Sequence, residues 1–131
     1  MEEITYKGIE ILIAEDNNIN YELLDAIINR LGIPHFWAKN GVEAIDMIAQ
    51  HENISLILMD INMPVMDGIT ATRIIREKEI KIPIIFQTAY ISDENQMECF
   101  KAGGNEFLSK PINLISLNFI LKKYLAKFEI Q

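Results

Sequence analysis

Ile54-Ser55-Leu56-Ile57-Leu58-Met59-Asp60-Ile61-Asn62-Met63-Pro64 is the stretch whose reading decides the fold. An uncharged run rich in Ile and Leu, cut off by an acid with a proline close behind, reads as a buried strand. Asp60 is then presented at the strand's carboxyl end. In open α/β sheets that edge is where ligands bind. Two further runs end alike: residues 9–14 lead into Glu15-Asp16, and residues 82–87 into Thr88-Ala89. Three acids and a hydroxyl arriving at one edge make a candidate site.

Working outward, strands and helices alternate. Residues 9–14 are nearly continuous in apolar side chains, as a strand covered on both faces should be. A helix follows from about Asn18, with Ile19, Leu23, Ile27 and Leu31 at helical spacing and Gly32 where a C-terminal cap belongs. Residues 34–38 form a short second strand. Asn40-Gly41 turns it into a helix with Val42, Ile45, Ile48 and Ala49 on one face. After the Asp60 strand a helix is expected from about Gly68 to Lys78, then a fourth strand to Gln87. Ser92 caps a helix that stops at Gly103-Gly104, and residues 106–109 form a fifth strand ended by Lys110-Pro111. A last helix runs from about Leu114 to Lys127 with Leu114, Leu117, Leu121, Tyr124 and Phe128 on its stripe. Five strand-then-helix units predict a parallel sheet with helices on both faces, read as one domain over 1–131 with its core at about 8–128.

Composition agrees. The chain has 131 residues, half of them hydrophobic, which suits one globular domain. A net charge of −7 gives no electrostatic reason to bind nucleic acid or an anionic membrane directly. The single cysteine, Cys99, excludes an internal disulfide and fits a reducing compartment. The acidic start lacks a signal-peptide pattern, and no apolar stretch approaches the ~20 residues that span a bilayer. The expectation is a cytoplasmic domain, compatible with a membrane-anchored parent protein.

Each candidate residue has a plain alternative. Asp16 could cap the first helix, Asp60 could be a turn acid, and Lys110 a solvated lysine. Gathered at one edge they are harder to dismiss. Neighbouring acids repel unless a cation joins them, and hard oxygen ligands suit Mg²⁺. A metal, the Lys110 ammonium and the Thr88 hydroxyl around a carboxylate would stabilise a transferring phosphoryl group, with Asp60 as nucleophile. No Ser-His-Asp or Cys-His set competes, and His35 and His51 read as structural or solvated.

The stretches Ile11-Leu12-Ile13-Ala14-Glu15-Asp16, Leu58 to Gly68, Gln87-Thr88-Ala89 and Phe107-Leu108-Ser109-Lys110-Pro111 resemble those of response-regulator receiver domains, in the family's order and over about residues 8–128. The resemblance implies a doubly wound sheet of strand order 2-1-3-4-5, flavodoxin-like. It implies Asp60 as phosphoacceptor, with Asp16 and Asp60 binding Mg²⁺ directly and Glu15 through a metal-bound water. The backbone carbonyl of Asn62 supplies the remaining protein ligand. Thr88 takes the place of the switch hydroxyl and Lys110 of its ion-pairing partner. Phe107 stands at the aromatic switch position, where the family commonly has Tyr, and Pro111 follows a peptide bond usually cis in the family. Gln87 departs from the small apolar residue common there. Tyr90 stands where side chains affect access of water to the phosphoryl group.

The flanking sequences are most similar to receivers fused to hybrid sensor histidine kinases. A fragment of such a kinase is the favoured reading over a stand-alone receiver, with no output domain after the last helix. The implied function is phosphorelay signalling: Mg²⁺-dependent acceptance of a phosphoryl group on Asp60 from a histidine kinase or histidine phosphotransfer domain, the receiver catalysing its own phosphorylation and dephosphorylation. Docking would use the first helix, with Ile19, Leu23 and nearby polar residues, beside the loop after the fifth strand; helical spacing assigns most of the apolar ones to the core, leaving the flanking positions for contact. A homodimer is also compatible with the family. The alternative is a pseudo-receiver that only dimerises or binds, against which the intact acids, Thr88 and Lys110 argue. A haloacid-dehalogenase-type phosphatase would need Asp-x-Asp after the first strand, and a dinucleotide binder a glycine-rich first turn. Neither is present.

Overall fold

Strand β2 (Glu10–Ala14) lies at the centre of the chain's first parallel ladder, flanked by β3 (His35–Ala38) and β4 (Ile54–Asp60). Beyond β4 come β5 (Ile84–Thr88) and β6 (Glu106–Ser109), giving a five-stranded parallel sheet of order β3-β2-β4-β5-β6. This is the expected 2-1-3-4-5 order. These statements rest on a computed structural model that describes residues 5–89 and 92–130.

The apolar runs are continuous because successive strand residues serve opposite faces. Leu12, Ile57, Met59, Ile84 and Phe86 meet α2 (Gly41–Gln50), α3 (Gly68–Glu77) and α4 (Asp93–Ala102) through Ala44, Ala71, Ile75 and Cys99. Ile11, Ile13, Leu56, Leu58 and Ile85 meet α1 (Asn18–Arg30) and α5 (Leu114–Leu125) through Leu24, Ile28, Leu117 and Leu121.

Each helix begins at a side-chain cap. Asn17, Asn40, Asp67, Ser92 and Asn113 accept backbone N–H bonds of 2.7–3.1 Å from the residue three further on. Asn17, rather than Asp16, therefore caps α1, which leaves Asp16 to the sheet edge. Gly32 adopts φ +72° just beyond α1, as a helix-terminating glycine should.

The amphipathic stripes needed correction. On α1 the buried residues are Leu24 and Ile28, while Ile19 and Leu23 are 69% and 50% exposed. Spacing alone selects a meridian but not which meridian meets the sheet. On α2, Val42 and Ala49 are likewise exposed. The last helix is shorter than expected: α5 ends at Leu125, and a 3₁₀ turn (Ala126–Phe128) leads into β7 (Glu129–Ile130). β7 pairs antiparallel with β1 (Thr5–Tyr6), a ribbon too short to leave a period in the sequence.

Candidate active site

The site is assembled from strand ends. Glu15 follows β2 directly and is fully buried. Its N–H donates to the Ala38 carbonyl at 2.9 Å, so the β2–β3 ladder continues one residue past the strand. Asp60 closes β4 and lies in register with Gln87 on β5. Thr88 closes β5, and its carbonyl accepts the Lys110 N–H at 2.8 Å. Asp60, Gln87 and Thr88 are all buried.

Lys110 Nζ lies 2.7 Å from Glu15 Oε1 and 3.1 Å from Asp60 Oδ2. One ammonium thus spans two buried carboxylates. Carboxylate oxygens of Glu15, Asp16 and Asp60 come within 4.8 Å of one another, with Asp16 exposed at the mouth. The Asn62 N–H donates to Asp60 Oδ1 at a long 3.4 Å, and the Lys110–Pro111 peptide bond is cis, as the family resemblance implies.

Charge follows from this crowding. Burial pushes the Asp60 carboxyl up to about 7, aided by the neighbouring Glu15 and opposed by Lys110. Burial would also raise Glu15, but its contacts with Asp60, Lys110 and the Asn17 N–H outweigh that and hold it below its ordinary value. Lys110 is raised despite burial because both carboxylates favour its charge. Three hard oxygen donors crowded on one edge, two of them buried and mutually repelling, are a donor set that a divalent cation fits. The cluster could bind a metal ion.

Of the residues singled out from the sequence, Glu15, Asp16, Asp60 and Lys110 come together, and Thr88 is tied to Lys110 through the backbone. Phe107 stands apart. On β6 it pairs in register with Phe86 of β5 and is half-buried against the α4 side of the core, its ring 5.5 Å from that of Phe100. Tyr90 lies outside the described residues. His35 is structural: its Nε2 lies 2.6 Å from Asp25 Oδ1. His51 stacks on Phe36 with ring centroids 3.9 Å apart.

Three neighbours of the site gain their roles only in three dimensions, Gln87 having stood in the sequence as a departure from the family's small apolar residue. Gly68 packs so closely that a Cβ there would meet the Asp60 carbonyl oxygen and, at 2.8 Å, Met59 Cγ. Gln87 is 1% exposed, and its amide Nε2 has no hydrogen-bond partner among the described residues. The indole N–H of Trp37 donates to the Glu15 carbonyl at 2.7 Å. The Asp67-Gly68 pair, a cap followed by a glycine, was the one signal available for the first. The other two depend on three-dimensional approach.

Comparison with known proteins places this geometry. The response regulator receiver domain model matches residues 11–122. The osmosensing histidine protein kinase SLN1 of Saccharomyces cerevisiae is 37% identical over 128 residues, covering 93% of this chain but 10% of the kinase. The chain thus spans a small part of the kinases it matches. Among solved structures, the receiver domain of a Pseudomonas aeruginosa sensor histidine kinase, with a magnesium ion coordinated in its active site cleft, superposes with a TM-score of 0.83. It is 35% identical and covers 91% of this chain and 98% of that one. The receiver domain of Ssk1 from Saccharomyces cerevisiae, in complex with the histidine phosphotransfer signaling protein Ypd1, also gives 0.83. It is 30% identical, with coverage of 92% and 90%. A family match running from inside β2 to within α5 takes in every strand that builds the site: this chain belongs to the response regulator receiver domains, modules of phosphorelay signalling.

Proposed function

We propose that this domain accepts a phosphoryl group on Asp60 from a phosphohistidine donor, with Mg²⁺ held by the acidic cluster. The observation that carries this reading is the Lys110 ammonium within ion-pair distance of two buried carboxylates, beside the exposed acid Asp16. An ionised Asp60 oxygen attacks phosphorus. A P–O bond forms as the P–N bond breaks, and the donor imidazole leaves with the bonding pair, neutral when its other nitrogen carries a proton. Lys110 pairs with a phosphoryl oxygen, and the Thr88 hydroxyl donates to another. Asp16, Asp60 and the Asn62 carbonyl would hold Mg²⁺ directly and Glu15 through a water. Bound there, Mg²⁺ offsets the charge of the acids and of the phosphoryl oxygens. Thr88 and Phe107 then bias the packing of the β5–α4 face between two states.

The donor is a histidine phosphotransfer domain or histidine kinase that docks on α1, where Ile19 and Leu23 are exposed apolar residues and Leu23 lines a small cavity with Pro111 and Ile112. The parent is a hybrid kinase working in the cytoplasm. Transfer from a phosphorylated histidine phosphotransfer protein tests this reading. Wild type should take up label, Asp60→Asn none, and Ile19→Asp should slow transfer without slowing labelling by a small phosphodonor. Label on Asp60→Asn would refute the assignment.

A further inference from the structure

The acid pair Glu15-Asp16 sits on a corner between β2 and α1, and a corner is a poor place to hold two carboxylates to within a fraction of an ångström. The Glu15 backbone is nevertheless fixed on both sides. Its N–H continues the ladder to Ala38, and its carbonyl accepts the Trp37 indole N–H at 2.7 Å. Trp37 is the chain's sole tryptophan and lies on β3, the edge strand of the sheet. Its ring is held flat by Tyr21 of α1, with centroids 3.9 Å apart and planes 4° from parallel. Tyr21 is itself anchored, its hydroxyl donating to Asp25 at 3.3 Å, and Asp25 also meets His35 Nε2 on β3. The stack thus joins helix, edge strand and acid corner.

We propose that Trp37 is a positioning residue for the metal-binding acids: its indole N–H, aimed by the Tyr21 ring, preorganises the Glu15-Asp16 corner for a divalent cation. The physical argument is one of ordering cost. A corner already held in place need not lose freedom when the cation binds, so the hydrogen bond strengthens affinity without touching the ion. Among the described residues Trp37 Nε1 donates to the Glu15 carbonyl and to no carboxylate, so its effect passes through the Glu15 backbone. The inference rests on the proposed metal site.

The test is Mg²⁺ titration by calorimetry on wild type and Trp37→Phe, the phenyl ring keeping a partner for Tyr21 while removing the donor. One neutral hydrogen bond corresponds to an affinity loss of about threefold to tenfold. We expect that loss, with helix content by circular dichroism unchanged. A second measurement does not depend on the variant. The single indole N–H resonance of wild type should shift during the titration with the same midpoint as the heat. Equal affinity of the two proteins, or an indole signal that stays put as the site saturates, overturns the proposal and leaves the metal site standing. Absence of any Mg²⁺ heat in wild type overturns both, and is thereby told apart from failure of the Trp37 role alone.

Discussion

Lys110 stands closer to Glu15 than to Asp60, at 2.7 Å against 3.1 Å, and the acid it favours is the one with no exposed surface. The lysine therefore offsets a buried charge at rest and, under the proposed function, would also pair with a phosphoryl oxygen on Asp60. Its removal should be felt without any phosphodonor. Lys110→Met leaves the buried pair of carboxylates uncompensated, and loss of one partner from a buried ion pair costs about 3 kcal/mol. Urea unfolding without Mg²⁺ should show a loss of that order, reduced when Mg²⁺ is added.

The pH dependence of stability has a definite sign. Asp60 is raised from 3.8 to about 7 by burial and by Glu15, so between those values the folded chain keeps a proton that the unfolded chain releases. Stability then falls as pH rises through that window, by up to about 1.4 kcal/mol per unit. Glu15 runs the other way: held below its ordinary 4.5, it contributes stability that is lost as pH falls below that value. From these two groups, stability without metal should peak at about pH 4, where the two windows meet. Protons and Mg²⁺ compete for Asp60, so Mg²⁺ should raise the melting temperature more at pH 8 than at pH 6. Thermal scans across pH, with and without Mg²⁺, check both statements.

Gly68 should tolerate no side chain. An added Cβ would press on the Asp60 carbonyl, and the Gly68 N–H already donates to the Ile61 carbonyl at 3.0 Å, so the loop cannot retreat freely. Gly68→Ala should cost about 2 kcal/mol in urea unfolding and weaken Mg²⁺ binding, since the residue displaced is the strand end that bears Asp60.

Gln87 predicts a gain. A buried amide nitrogen without a partner among the described residues carries a desolvation cost, and the adjoining cavity of about 10 Å³ beside Leu23 and Ile112 has room for one water at most. Gln87→Leu should raise stability by about 1 kcal/mol, read as a shift in urea midpoint at constant slope.

Much of this was legible in the chain. A parallel sheet covered on both faces favours strands nearly continuous in apolar residues, and β2, β4 and β5 are so apart from Glu10, Ser55 and Gln87, so each strand announces roughly where it stops. Glu15, Asp60 and Thr88 stand at those stops, so the strand ends alone bring the site residues to one edge. The helices were less forthcoming. The four-residue spacing of Ile19, Leu23, Ile27 and Leu31 is real, yet the face against the sheet is the one carrying Leu24 and Ile28. Neighbouring stripes on a helix lie only about 100° apart, and burial is decided by the partner surface. Trp37 and Gly68 act through approach to backbone carbonyls of Glu15 and Asp60, which a pattern of side chains does not encode. The β1–β7 ribbon pairs residues from opposite ends of the chain, with two residues a side.

The central claim is that Asp60 is the phosphoacceptor of a Mg²⁺-dependent site. Intact-mass spectrometry after incubation with a small phosphodonor such as acetyl phosphate, with and without Mg²⁺ and beside Asp60→Asn, tests it most directly. Wild type should gain one phosphoryl group, only with Mg²⁺, and the variant none. No gain in folded wild-type protein, or a gain that persists in Asp60→Asn, would contradict it.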